Sequence, residues 1–167
     1  MKKVLVSTLA ALLLVPTLSA CGSSDEVAAS AITITEPVAR AVDAMSPANK
    51  ETGKFMTGSF MTIANSSDED ITLIGGTSDV AGIIEIHEVI DGAMIAMANG
   101  LVIPANGEVK LRMGGYHVML MELTDKLVAG DEVDVTLEFS NGEKVDYTAP
   151  VKEIAMDDEV YGVAGGM

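Results

Sequence analysis

Beyond its first thirty residues this chain meets turn signals so often that no stretch between them suits an amphipathic helix of ordinary length. Asp91-Gly92, Pro104-Ala105-Asn106-Gly107, Gly114-Gly115 and Ser140-Asn141-Gly142 all carry residues that tolerate tight or left-handed backbone. Short apolar or alternating runs lie between these and earlier breaks. They are Ala31 to Thr35 (halted by Pro37), Lys54 to Ala64, Ile71 to Ile74, residues 80–90, Leu101 to Ile103, Glu108 to Met113, Tyr116 to Met121, Val133 to Phe139 and Lys144 to Val151. Residues 46–53 read as a loop and Asn65 to Asp70 as a turn. Seven to nine short strands without internal repeats predict an all-β domain, an antiparallel β-sandwich or barrel with Greek-key connections.

The first twenty residues do not belong to that domain. Lys2 and Lys3 form a basic start, and the apolar run Val4 to Val15 is too short to span a bilayer. Leu18-Ser19-Ala20-Cys21 has the form of a lipobox, in which small residues thread a peptidase and the Cys thiol takes up diacylglycerol. Residues 1–20 are thus expected to be a lipoprotein signal peptide. Residues 21–30 would be a flexible acidic linker leaving lipidated Cys21, residues 31–155 the folded domain, and residues 156–167 a loose tail. The expected location is extracytoplasmic, anchored to the cell envelope.

Charge and cysteine usage narrow the chemistry. From Cys21 onward 8 Lys and Arg face 25 Asp and Glu, a formal −17 that opposes nucleic acid as a partner. Cys21 is the only cysteine, so the domain has no disulfide, no thiol nucleophile and no blue-copper thiolate. No serine elbow or carboxylate pair is placed by a motif, and no enzyme is expected.

Methionine carries the remaining signal. Ten Met lie among the 147 residues from Cys21 onward, and the chain has only two His, His87 and His117. Strand alternation in Tyr116 to Met121 puts His117, Met119 and Met121 on one face and Tyr116, Val118 and Leu120 on the other, the natural core face. If Asp91-Gly92 closes a two-residue hairpin, Ile90 faces Ala93, Val89 faces Met94 and His87 faces Ala96. Met94 then shares the His87 face, and Met97 falls on the other unless the strand ends first. Thioether is a soft, neutral ligand that suits Cu(I) and has little affinity for zinc, calcium or magnesium, so two imidazoles with thioethers beside them suit Cu(I).

The fragments Phe60-Met61-Thr62-Ile63-Ala64-Asn65, Val80-Ala81-Gly82, Glu85-Ile86-His87-Glu88, Ile103-Pro104-Ala105-Asn106-Gly107 and Gly114-Gly115-Tyr116-His117-Val118-Met119, in that order, resemble the PCuAC-type periplasmic copper chaperones over roughly residues 31–153. The resemblance implies a cupredoxin-like β-sandwich with His87, His117 and Met119 as Cu(I) ligands. The hairpin after His87 is about two residues shorter than the family pattern. For the fourth ligand Met97 fits the spacing better and Met94 the face; Met97 is preferred, with Met121 a substitute and the tail residues Met156 and Met167 not expected to contribute. The implied function is an extracytoplasmic Cu(I) chaperone handing copper to a copper-accepting subunit of a haem-copper respiratory oxidase or another copper protein. The alternative is a metal-free β-sandwich lipoprotein acting as a scaffold.

Overall fold

The computed structural model describes residues 30–42 and 55–154. The expected signal peptide, Cys21, nearly all of the expected linker, the expected loop 46–53 and the expected tail lie outside these residues. Ten strands run in order: β1 (Ile32–Arg40), β2 (Phe55–Asn65), β3 (Ile71–Thr77), β4 (Ala81–Ile90), β5 (Ala93–Ala96), β6 (Leu101–Ile103), β7 (Gly107–Leu111), β8 (His117–Leu123), β9 (Glu132–Phe139) and β10 (Lys144–Lys152). No helix occurs among the described residues.

Hydrogen bonding follows the path β5-β4-β8-β2-β1-β10-β9-β3-β6, with β7 also on β2. β3 and β4 sit far apart on that path yet lie against each other, so the path doubles over into a sandwich. The turn-rich pattern of the sequence predicts antiparallel pairing throughout. One pair departs from it: β1 meets β10 in parallel at Ala39↔Val151 and Arg40↔Lys152, which joins the two layers. Alternation builds the core. In β9, Val133, Val135, Leu137 and Phe139 point inward between exposed or half-exposed residues, and β10 buries Tyr147, Ala149 and Val151 the same way. Ile63, Val118 and Leu120 answer from the other layer.

Pro37 does not end β1, as the sequence suggested; it sits in a bulge. The β1–β2 register shifts between Thr35 and Val38, and Glu36 adopts φ 52°. A bulge leaves a residue without a ladder bond, which a proline lacking N–H can occupy at little cost. Asp91-Gly92 behaves as expected, with φ 51° and 80° in a two-residue turn of the type that matches strand twist.

The division of β2 positions everything that follows. One edge of β2 pairs with β1. The other edge is shared: Phe55 to Ser59 pair with β8, and Met61 to Asn65 pair with β7. Residues 112–116, including Gly114 at φ 73°, turn the chain from β7 into β8 opposite Phe60. Arg112 N–H closes this turn onto the Tyr116 carbonyl at 2.8 Å.

Buried hydroxyls fasten the layer junction. The Tyr147 hydroxyl donates to Ser59 Oγ at 3.1 Å, Ser59 Oγ donates to the Val38 carbonyl at 3.2 Å, and Thr57 Oγ1 donates to the Arg40 carbonyl at 2.6 Å. Burial pushes the Tyr147 hydroxyl up to about 12. A raised folded-state value means that its contribution is complete below the ordinary 10 and is lost as pH climbs through 12. Chemical denaturation at pH 9 and pH 11.5 should therefore show a loss of stability that Tyr147→Phe largely removes. Tyr147→Phe itself should cost about 1 kcal/mol at neutral pH. An equal alkaline loss in both proteins would show that Tyr147 is not the titrating group.

Candidate metal centre

β4 and β8 pair antiparallel with His87 directly opposite His117, Glu85 opposite Met119 and Ile83 opposite Met121. Directly opposed residues share a face, so these six side chains stand together. Ile86, Val118 and Leu120 point the other way, into the core. The Asp91-Gly92 turn sets the next column as the sequence indicated, with Ile90↔Ala93, Val89↔Met94 and His87↔Ala96. On the far side of β8, Met119 faces Gly58 of β2.

Part of this outer face is dry. His117 is only 4% exposed and Met119 6%. Part of the cover is Phe60, whose ring lies 6.3 Å from that of His117. A Cβ placed on Gly58 would meet Phe60 Cζ at 2.9 Å, so the ring lies back over the bare glycine, beside the strand position of Met119. A larger residue at 58 would displace the ring. The sequence places Phe60 in the strand run Lys54 to Ala64 and gives it no role; the Gly58-x-Phe60 spacing, a bare position two residues from an aromatic, is the available signal.

The two imidazoles are centred 5.7 Å apart and tilted by 60°. Nitrogens binding one shared ion at roughly 2 Å would put the ring centres about 5–6 Å apart. His117 Nδ1–H donates to the Gly115 carbonyl at 3.0 Å, which leaves Nε2 with its lone pair. His87 Nε2 lies 2.8 Å from Glu85 Oε2, whereas His87 Nδ1 is buried with no hydrogen-bond partner. Glu85 is a site residue that the sequence reading quoted but gave no part; its i, i+2 spacing from His87 on a strand was the signal. Among the described residues no cluster of three or more His, Cys, Asp or Glu forms.

The methionines divide by face. Met119 belongs to the histidine pair, and Met121 continues the same row, half-buried opposite Ile83. Met94 shares the His87 face but is 59% exposed, one diagonal step away across β4–β5. Met97 does not swing round. β5 ends at Ala96, yet Met97 N–H still bonds the Ile86 carbonyl at 2.8 Å, and the side chain packs against the hydrophobic core. Cys21, Met156 and Met167 lie outside the described residues.

Residues 32–151 match the family described as "LpqE-like". The chain belongs to the LpqE-like family. A relative from Leifsonia xyli subsp. xyli, named "Putative lipoprotein Lxx21020", is 35% identical over 67% of this chain and 70% of its own length. Among solved structures, the Cu(I) form of DR1885 from Deinococcus radiodurans is 30% identical with TM-score 0.56, covering 78% of this chain and 85% of that one. The copper-bound PCuAC domain from PmoF2 is 24% identical with TM-score 0.60, covering 75% of this chain and 95% of that one. The fold of this LpqE-like protein is therefore the cupredoxin-like β-sandwich of PCuAC domains, as the sequence resemblance implied.

Protonation at the LpqE-like site follows from its dryness. Burial holds the His117 ring below the usual histidine range; the Gly115 carbonyl opposes this, and nearby His87 adds to the lowering. A lowered folded-state value means the unfolded chain takes its proton first. Stability from this group is then intact above the ordinary 6.5 and is lost as pH falls from there toward the folded value. In an NMR pH series of the metal-free protein, His117 should titrate below 6.5. A midpoint at or above 6.5 would contradict the burial of the ring.

Proposed function

We propose that this LpqE-like protein carries Cu(I) outside the cytoplasm and passes it to another copper protein. The observation that supports this most is the pair His87–His117, in register across β4 and β8, with His117 buried, the His87 side chain only 12% exposed and Met119 beside them. Neutral nitrogen and sulfur donors in a water-poor site favour a soft monovalent ion. Without an anionic thiolate, the ion stays exchangeable. Copper here is cargo, and no redox turnover is assigned to it. The likeness to Cu(I)-bound DR1885 supports the same ion, and we read the protein as a binding module and not an enzyme.

His87, His117 and Met119 form the proposed donor set. We assign the fourth position to Met94 in place of Met97, because Met94 stands on the histidine face and Met97 is engaged in the core. A diagonal neighbour on a sheet lies about 7–8 Å away, within reach of a flexible thioether. As the most exposed donor of the set, Met94 is the one an acceptor would displace first.

The signal segment and Cys21 support export and lipid anchoring at the envelope surface. An anchor confines donor and acceptor to one surface and raises their effective concentration. The proposed recipient is the copper-accepting subunit of a haem-copper respiratory oxidase. No nucleic acid partner is proposed for a domain of this charge.

Anaerobic Cu(I) competition against a coloured chelator tests binding. Wild type should take one tight equivalent, and His87→Ala/His117→Ala should take none. Met94→Ala should weaken affinity on the order of tenfold, equivalent to 1.4 kcal/mol, without changing stability. Met97→Ala should leave affinity intact and cost about 1–2 kcal/mol of stability, less than a fully buried Met would. Loss of copper in Met97→Ala at unchanged stability would reverse the assignment of the fourth donor. Failure of the wild type to compete would leave the metal-free scaffold as the better reading. Failure of the loaded protein to metallate an isolated oxidase subunit would remove delivery but leave binding standing.

A further inference from the structure

We infer that Glu85 is a positioning residue that fixes the His87 tautomer, so that His87 offers Nδ1 and His117 offers Nε2 to a single Cu(I). The inference rests on the copper-carrying reading above and adds which ring nitrogen each histidine uses and what enforces it.

A carboxylate oxygen only accepts, so the 2.8 Å contact between Glu85 Oε2 and His87 Nε2 places the proton on Nε2. In the neutral ring Nδ1 then carries the lone pair. That atom is buried and has no hydrogen-bond partner. A buried nitrogen left without a partner costs free energy that a bound soft ion would recover. Nδ1 is also the ring nitrogen nearer the main chain, so the donor is directed into the protein and not toward solvent.

His117 is arranged the opposite way. Its Nδ1–H is held by the Gly115 carbonyl at 3.0 Å, which frees Nε2. Each ring thus has one nitrogen tied by a second partner and one left to donate, the usual arrangement around a metal-binding histidine. The two partners differ in chemistry. The Gly115 carbonyl is main chain and cannot be lost by substitution, whereas Glu85 is a side chain. Removing it would let His87 place its proton on Nδ1 and lose the donor.

Glu85 is poorly suited to be a ligand itself. A carboxylate is a hard donor and disfavours Cu(I), and its Oε2 is already engaged with His87. A surface ion pair alone would contribute little, since the Glu85 side chain is 43% exposed. The unpartnered Nδ1 on the other side of the same ring is what gives the contact a consequence.

Two-bond proton–nitrogen correlation spectra of the whole protein, metal-free and loaded with Cu(I) alone, test this directly. Metal-free wild type should show Nε2–H on His87 and Nδ1–H on His117. Loading should shift His87 Nδ1 and His117 Nε2. Glu85→Ala should lose the His87 preference while His117 keeps its own, and Cu(I) affinity should fall roughly 10- to 100-fold. Glu85→Gln keeps an accepting carbonyl oxygen and should restore the tautomer and most of the affinity. Far-UV circular dichroism of each variant checks that the fold persists. Coordination of copper by His87 Nε2, or a Glu85→Ala protein with unchanged tautomer and affinity, would overturn the inference while leaving the copper reading intact. A wild type that binds no Cu(I) would defeat both.

Discussion

The second edge of β2 is the constraint on which the rest of this protein depends. A strand of eleven residues offers more edge than either partner alone covers, so β8 takes the first part and β7 the second. The chain must leave β7 and enter β8 within residues 112–116, opposite Phe60. That seam brings His117 to the head of β8, where Gly115 is close enough to hold its ring and Phe60 close enough to cover it. A continuous partner strand along β2 would leave no turn there and no carbonyl free to orient the imidazole.

Holding polar donors on a dry sheet face has an energetic logic. An imidazole out of water costs free energy unless its nitrogens find partners. One nitrogen of each ring is satisfied by Gly115 or Glu85, and the His87 Nδ1 atom is not. The site thus keeps an unmet demand, and the core beneath it, with Ile86, Val118 and Leu120, is rigid enough to sustain that demand. The Tyr147–Ser59–Val38 bonds fasten β2 at the junction of the two layers, next in the chain to Phe60. Fold and site therefore share β2 as a common support, and damage at the junction would be felt at the histidine pair.

Much of this was legible beforehand where local chemistry dictates geometry. Asp91-Gly92 accepts positive φ at both central positions, so the hairpin register followed from two residues. His117-x-Met119 shares a face because strands alternate, whatever surrounds them. Pro37 misled because a proline stops a strand only where its missing N–H is needed, and a bulge removes that need. Spacing counted along the chain favours Met97, whereas its ladder bond to Ile86 sets its side chain against the core. Phe60 over Gly58 and Glu85 against His87 went unassigned because neither is a motif; each is a spacing that acquires meaning once neighbouring strands close around it.

Sequence by itself determined what depends on near neighbours in the chain: the all-β character, the turns, the alternation of faces, and a donor inventory of two imidazoles and several thioethers with no cysteine in the domain. Tertiary structure alone decided what depends on distant partners. It set His87 against His117 across some thirty residues of chain, buried His117 against the ring of Phe60, and left one ring nitrogen of His87 without a partner. The physical reason is range. Backbone propensity and turn chemistry act over a few residues, whereas burial, ring orientation and choice of donor atom come from strands that meet only after the sheet has closed.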